Sequence, residues 1–238
     1  MRFLITGVSR GLGKALTEAC LEQGHEVWGV SRTLPSVANI RFRHTQCDIS
    51  DVSALNEAIA GFDSAGFVPD VFVFNAAIIK SDYANSLDMN VVRETFATNL
   101  FGHLHCLNVY LPRVLDNSKT TYFLNISTVS VFRALPRGKF AYPASKAAMD
   151  KFFEELQMHH KQGHLRFITF NLGPLTTSPR GTLPFLSASY QDAAQKILCS
   201  LDGCRTTNRI SFPPITGLIY KAIRFLPDSL VRRITCSA

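Results

Sequence analysis

The sequence predicts an α/β fold, a doubly wound parallel sheet with helices on both faces in a three-layer arrangement. Two observations predict it. Short apolar runs bounded by turn residues alternate along the 238 residues with segments whose apolar positions recur at helical spacing. The runs are also apolar throughout rather than in alternation, VFVF at Val71–Phe74 being the clearest, as strands buried on both faces must be. No internal repeat or linker interrupts the pattern, so residues 1–238 are expected to form a single domain.

Taken in order, Phe3 to Thr6 reads as a buried strand, followed by a glycine turn and a helix through Leu16, Ala19 and Cys20. Glu26 to Val30 is the second strand and Ile40 to His44 a weaker third. Asp51 starts a helix carrying Val52, Leu55 and Ile59 at helical spacing. After Val71–Phe74, Val91 to Leu115 reads as one long helix, Thr121 to Ile126 as a strand, Phe140 to His160 as a second long helix and Leu165 to Phe170 as another strand. Pro174 to Ser189, rich in Pro and Ser, reads as a loop, and two further helical patterns follow.

Composition narrows the function. Hydrophobic residues make up 46% and charged residues 18%, which excludes a disordered chain and a coiled coil. Six cysteines (Cys20, Cys47, Cys106, Cys199, Cys204, Cys236) without a C-x-x-C spacing support neither a disulfide scaffold nor a metal site. The formal charge is +7, yet no basic run is interleaved with aromatics, so nucleic acid is not expected as a partner. No leader-like segment and no run of about 18 apolar residues is seen, and a cytoplasmic protein is expected.

Thr6 to Gly13 reads TGVSRGLG and sits between the first strand and the first helix. In that context Gly7 allows the tight turn and Gly11 lets a pyrophosphate approach the backbone. Gly13 permits close helix–sheet packing, and the helix N-terminus supplies positive dipole for the anion. A carboxylate gripping a ribose 2′-hydroxyl would be expected at the end of the second strand. The strand ends instead in VSRT, with no Asp or Glu from Val27 to Asn39. Arg32 there, with Arg10 in the turn, suits a 2′-phosphate and points to NADP(H); the alternative is two solvated surface arginines.

Tyr142 and Lys146, in YPASK, lie one turn apart on one helix face. A phenol with a reference pKa of about 10 is a poor acid–base at neutral pH, and a nearby ammonium would lower that value. Without its context the pair would read as a helix-surface pair. Asn99, in ATNLFG, is disfavoured inside an apolar helix unless it finds partners.

The T-G-x-x-x-G-x-G turn, the Y-x-x-x-K pair and their order resemble the short-chain dehydrogenase/reductase family, NADP-preferring carbonyl reductases in particular, from Phe3 to about Thr177. The resemblance implies a Rossmann-type sheet of about seven strands. It implies a cofactor site that includes Gly7, Ser9, Arg10, Gly11, Leu12, Gly13 and Arg32. Asp48 would bond the adenine and Ile49 pack on its ring, although alone Asp48 reads as well as an N-cap neighbour. Asn75-Ala76-Ala77 stands where the family has N-A-G. LGPLTT resembles P-G-P-V-x-T, so Gly173, Leu175 and Thr177 would meet the carboxamide or a phosphate.

Catalysis by resemblance uses Asn99, Thr128, Tyr142 and Lys146: Tyr142 as proton donor, Lys146 also on the nicotinamide ribose, and Asn99 holding a relay water. The family's spacing places its serine at Val129, and matching through Ile126 and Pro136 places Thr128 there instead; Ser127 and Ser130 are the other candidates. The implied reaction is hydride transfer that interconverts a ketone or aldehyde and an alcohol, on an apolar or acyl-type small molecule, with no metal. The alternative is a non-catalytic dinucleotide-binding regulator on the same fold. A homodimer or homotetramer is implied, with Leu100, Phe101, Leu104, Phe152, Phe153 and Leu156 suited to the interface or to the core. Pro179, Pro184, Phe185 and Leu186 suggest an apolar substrate mouth. Residues from about 205 to 238 match least. There Ile215, Leu218, Ile219, Ala222, Ile223 and Leu226 fall at helical spacing among the bases Arg205, Arg209, Lys221, Arg224, Arg232 and Arg233. That helix is expected to pack on the core or over the substrate cleft, with a membrane-surface role as the alternative.

Overall fold

A computed structural model describes residues 1–116, 118–135, 138–160, 163–177, 186–201 and 208–236. The strands are β1 (Arg2–Thr6), β2 (Glu26–Ser31), β3 (Phe42–Gln46), β4 (Val71–Phe74), β5 (Thr121–Thr128), β6 (Leu165–Leu172), β7 (Leu175–Thr176), β8 (Ala188–Ser189) and β9 (Arg209–Phe212). The helices are α1 (Gly11–Glu22), α2 (Val52–Ser64), α3 (Met89–Phe96), α4 (His103–Val114), α5 (Ala141–His159), α6 (Tyr190–Cys199), α7 (Pro214–Ile223) and α8 (Asp228–Cys236). Seven strands form one parallel sheet in the order β3-β2-β1-β4-β5-β6-β9. Strand order reverses beside β1, so the crevice at the carboxyl ends of β1 and β4 is where such a sheet takes a ligand.

The pleat sorts alternate residues into two cores. Phe3 and Ile5 of β1 join Leu12, Leu16 and Cys20 of α1 and Ile197 of α6 on one face. Leu4 joins Phe72, Phe123 and Phe167 with Ile59 of α2, Leu107 of α4 and Phe153 of α5 on the other. Phe72, Phe123 and Phe167 are register partners on adjacent strands, and their rings stack at 4.8 and 5.1 Å. These rings are fully or almost fully buried and lock β4, β5 and β6 side by side, which fixes where their carboxyl ends lie.

Five expectations need correction. The third strand runs two residues later than Ile40 to His44, because Val27 pairs with Phe42 and leaves Ile40 99% exposed in the preceding turn. The long helix from Val91 is three pieces, α3 and α4 joined by a π-helical turn over Ala97–Gly102. A Cβ on Gly102 would lie 2.3 Å from the Ile49 carbonyl oxygen, so the turn presses on the chain following β3. The loop from Pro174 contains the short parallel pair β7–β8, and the C-terminal part holds β9 and three helices rather than two helices alone. Finally, α7 does not pack its apolar side on the core: Ile215, Leu218 and Ile219 are 48, 69 and 37% exposed. Its seat is the opposite side, where a Cβ on Gly217 would stand 2.2 Å from the Ser211 Cβ.

Candidate active site

The glycine turn is fixed by backbone geometry. Gly7 and Gly11 have φ of +76° and +57°, a left-handed conformation that favours glycine. Gly13 is required by the close packing expected of it: its Cβ would lie 2.0 Å from the Gly7 carbonyl and 2.6 Å from Asn75 Nδ2, at the ends of β1 and β4. Asn75 Nδ2 donates to the carbonyls of Thr6 and Gly7 at 2.9 and 3.1 Å. Thr6 Oγ1 accepts from the N–H groups of Asn75 and Ala76, both at 3.0 Å. The ends of β1 and β4 are thus stitched together. Arg10 precedes α1 without a side-chain cap, and the Tyr190 ring stands beside Gly11, 3.5 Å from where a Cβ would be. Ser9 is half-buried, Leu12 sends its side chain into the core, and Ala77 is exposed at the crevice rim.

At the end of β2, Arg32 is 62% exposed and its Nη1 lies 3.7 Å from Asp48 Oδ2. Asp48 also accepts from Ser50 N at 3.0 Å and Ser50 Oγ at 2.7 Å. Burial alone would raise this carboxyl, but the Ser50 hydrogen bonds and the Arg32 charge outweigh it and hold it below its ordinary range. Ile49 is buried against the π-helical turn.

At the end of β5, alternation of the strand settles which hydroxyl meets Tyr142. The Thr128 hydroxyl hydrogen-bonds the phenol, whereas Ser127, one residue earlier, turns its hydroxyl to the opposite side of the strand, where it is buried without a hydrogen-bond partner. Ser130 folds back on Thr128, donating its N–H to Oγ1 at 3.2 Å and accepting from it at Oγ, 3.3 Å away. Burial pushes the Tyr142 phenol up to about 12, with the Thr128 hydrogen bond opposing. The expected lowering by Lys146 is therefore not met: the ammonium, 2% exposed, is turned onto the Ile126 carbonyl at 2.6 Å. Burial brings Lys146 itself down to about 8 against a counter-pull from Asp150. Near neutral pH the site holds a protonated phenol and a protonated amine.

Asn99 finds the partners it needs inside the protein. Its Oδ1 accepts from Ile78 N at 2.7 Å, and its Nδ2 donates to Ile78 O at 3.1 Å and Ser145 Oγ at 3.2 Å. Its carbonyl lies 3.3 Å from His103 Nδ1, and His103 Nε2 lies 3.0 Å from Thr6 Oγ1. The imidazole thus bridges the Asn99 carbonyl and the Thr6 hydroxyl, which also donates to the Val73 carbonyl at 3.2 Å. Burial first, and the Lys146 charge second, bring His103 down to about 3, so it is a neutral strut joining the glycine turn to Asn99.

Three residues of this site were missed from sequence. His103 is one. Asp82, 1% exposed, accepts from the N–H groups of Phe140 and Ala141 and so anchors the start of α5 on which Tyr142 stands. Asp150, one turn beyond Lys146, accepts from Asn125 Nδ2 and Asn171 Nδ2, both at 2.9 Å, and lies 3.8 Å from Arg209. Burial raises its carboxyl, against those hydrogen bonds and the Arg209 charge. The available signal was a polar residue in an otherwise apolar segment, as with His103 in FGHLH and Asp150 in AAMDKFF.

Gly173 donates its N–H to Phe212 O at 2.8 Å, which ties the end of β6 to β9. Leu175 is half-buried in β7 and Thr177 is exposed. Pro136, Pro179, Pro184, Phe185 and Arg205 lie outside the described residues, and Leu186 O accepts from Thr216 Oγ1 at 2.8 Å. Of the residues expected at an interface, Leu100 and Phe153 belong to the core, while Phe101 and Phe152 are 61 and 48% exposed. Among the described residues no group of three His, Cys, Asp or Glu could hold a metal ion, and no helix is long and apolar enough to cross a membrane.

The chain is 27% identical over 240 residues, 95% of its length and 93% of the relative's, to an uncharacterized oxidoreductase of Myxococcus xanthus. It is 27% identical over 207 residues, 83% of its length and 73% of the relative's, to a 3-ketodihydrosphingosine reductase of Bacteroides thetaiotaomicron. A short chain dehydrogenase from Burkholderia cenocepacia, solved in complex with NADP, superposes with a TM-score of 0.80 at 21% identity, covering 98% of this chain and 96% of that one. The short chain dehydrogenase family model matches residues 2–183. The chain belongs to the short chain dehydrogenase family of oxidoreductases.

Proposed function

We propose that the protein is an NADP(H)-dependent oxidoreductase that reduces a ketone or aldehyde carbonyl to an alcohol, with Tyr142 as the proton donor. One observation carries the reading: a protonated phenol hydrogen-bonded to Thr128 stands with Lys146 and Asn99 beside a glycine turn whose helix has no side-chain cap. The residues present fit a dinucleotide. The α1 N–H groups and the backbone at Gly7, Ser9, Gly11, Leu12 and Gly13 suit the pyrophosphate. Asp48, Asn75, Ala76 and Ala77 would line the cofactor crevice, and Gly173, Leu175 and Thr177 would meet the carboxamide or a phosphate. Exposed Arg32 and Arg10, with no carboxylate between Val27 and Asn39, favour a 2′-phosphate.

When bound, the cofactor supplies the hydride. Thr128 Oγ1 holds the substrate oxygen, and Tyr142 gives that oxygen its phenolic proton as negative charge develops. Lys146, held on the Ile126 carbonyl, is placed to meet the nicotinamide ribose, and Asn99 keeps Ile78 and Ser145 in place around the site. The chain pairs with a second copy through the face bearing Phe101 and Phe152, a pairing that Phe101→Glu would break in sedimentation velocity.

Arg32→Asp tests the cofactor assignment. Losing a charge-assisted contact and adding a like charge to the phosphate should raise the NADPH KM at least about tenfold while NADH is spared. An unchanged NADPH KM would remove the basis for assigning NADP(H).

A further inference from the structure

α7 is seated back to front for a helix on a protein surface. The side against the sheet is small and polar: Thr216 is 3% exposed and bonded to Leu186 O at 2.8 Å, and Gly217 rests on Ser211. The side facing out is Ile215, Leu218, Ile219 and Ala222, continued by Phe225 at 85% exposure. A surface helix ordinarily does the reverse, so this stripe has an apolar occupant other than its own core. Around the stripe the charge is one-sided. From Lys221 to Arg233 there are four cations and a single acid, Asp228, and Arg133 is paired with that acid. Lys221, Arg224 and Arg232 are exposed.

We propose that α7 and the following turn lie on an anionic lipid surface, Leu218 and Phe225 entering the headgroup–acyl boundary while Lys221 and Arg224 meet the anionic headgroups. Apolar stripe and cationic border together are the pattern of an in-plane membrane helix, whereas a second copy of this face would set like charges against each other. The contact is peripheral, since no helix among the described residues can span a bilayer. It also opens beside the catalytic loop. Lys221 Nζ sits 5.3 Å over the Phe132 ring, and Arg133 holds Leu226 O at 3.3 Å, both within five residues of Thr128.

The test is co-sedimentation of the full chain with vesicles of phosphatidylcholine alone or doped with phosphatidylglycerol, a binding readout that does not depend on turnover. The chain should sediment with the anionic vesicles, be released by salt, and ignore the neutral ones. Leu218→Glu should lower partitioning at least about tenfold, and Arg224→Gln about fivefold, without altering the far-UV spectrum. Absence of binding to anionic vesicles, or wild-type binding by Leu218→Glu, would overturn the proposal. So would finding that Leu218→Glu instead splits an oligomer in sedimentation velocity, which would give the face to a second copy.

Discussion

Replacing Lys146 by Met removes the buried ammonium at the centre of the site, and its effect on stability has a pH dependence that follows from the structure. Lys146 is 2% exposed and sits at about 8 against an ordinary 10.5. That gap corresponds to about 3 kcal/mol by which folding opposes the charged form. The folded value lies below the unfolded one, so between about pH 8 and 10.5 the unfolded chain holds more protons at this residue. Wild-type stability therefore rises through that window on account of Lys146, and the variant lacks the rise. Met also leaves the Ile126 carbonyl without its 2.6 Å donor, a loss of about 1–3 kcal/mol that does not vary with pH. Urea denaturation of both proteins at a series of pH values isolates the difference. The stability of Lys146→Met relative to wild type should fall by about 3 kcal/mol from neutral pH to pH 10.5. A difference that stays flat would refute the placement of Lys146 as a desolvated cation.

Two further predictions concern single atoms. Gly13→Ala would put a methyl 2.0 Å from a backbone carbonyl and should cost about 3 kcal/mol, whereas Gly61→Ala, with nothing within 4 Å in mid-helix, should gain about 0.5–1 kcal/mol; thermal melts compare them. Thr128→Ala should lower kcat on the order of 10²-fold, Thr128→Ser should keep most of it, and Ser127→Ala, which removes a buried hydroxyl without a partner, should leave both kcat and the urea midpoint near wild type, measured by steady-state kinetics beside urea midpoints.

The local devices were legible in sequence. The glycine turn, the Tyr142–Lys146 spacing and the buried strands depend on residues close along the chain, where backbone conformation and helical period act directly. Long-range devices were not. The bond between Thr6 and His103 spans 97 positions, and the Asp82 contact with Phe140 spans 58, so no periodicity announces them. The π-helical turn at Asn99 is tied to the approach of Ile49 to Gly102, another contact between distant segments. β9 was missed because four residues, RISF, carry too little pattern to distinguish a strand from a loop. α7 was legible as amphipathic but not in its orientation, since the sequence does not say which side Gly217 and Thr216 would seat. The phenol of Tyr142 was expected to be lowered because the spacing brings Lys146 near, and only the fold shows the ammonium committed to Ile126.

The central claim is that Tyr142 donates the proton in an NADPH-dependent carbonyl reduction. Its most direct test is NADPH oxidation by wild type and Tyr142→Phe on a panel of aliphatic, aromatic and diketone substrates and acyl thioesters. Wild type should consume NADPH with at least one of these, and Tyr142→Phe should fall by about 10²–10⁴-fold on it while still binding NADPH. A Tyr142→Phe variant that keeps the wild-type rate would contradict the account.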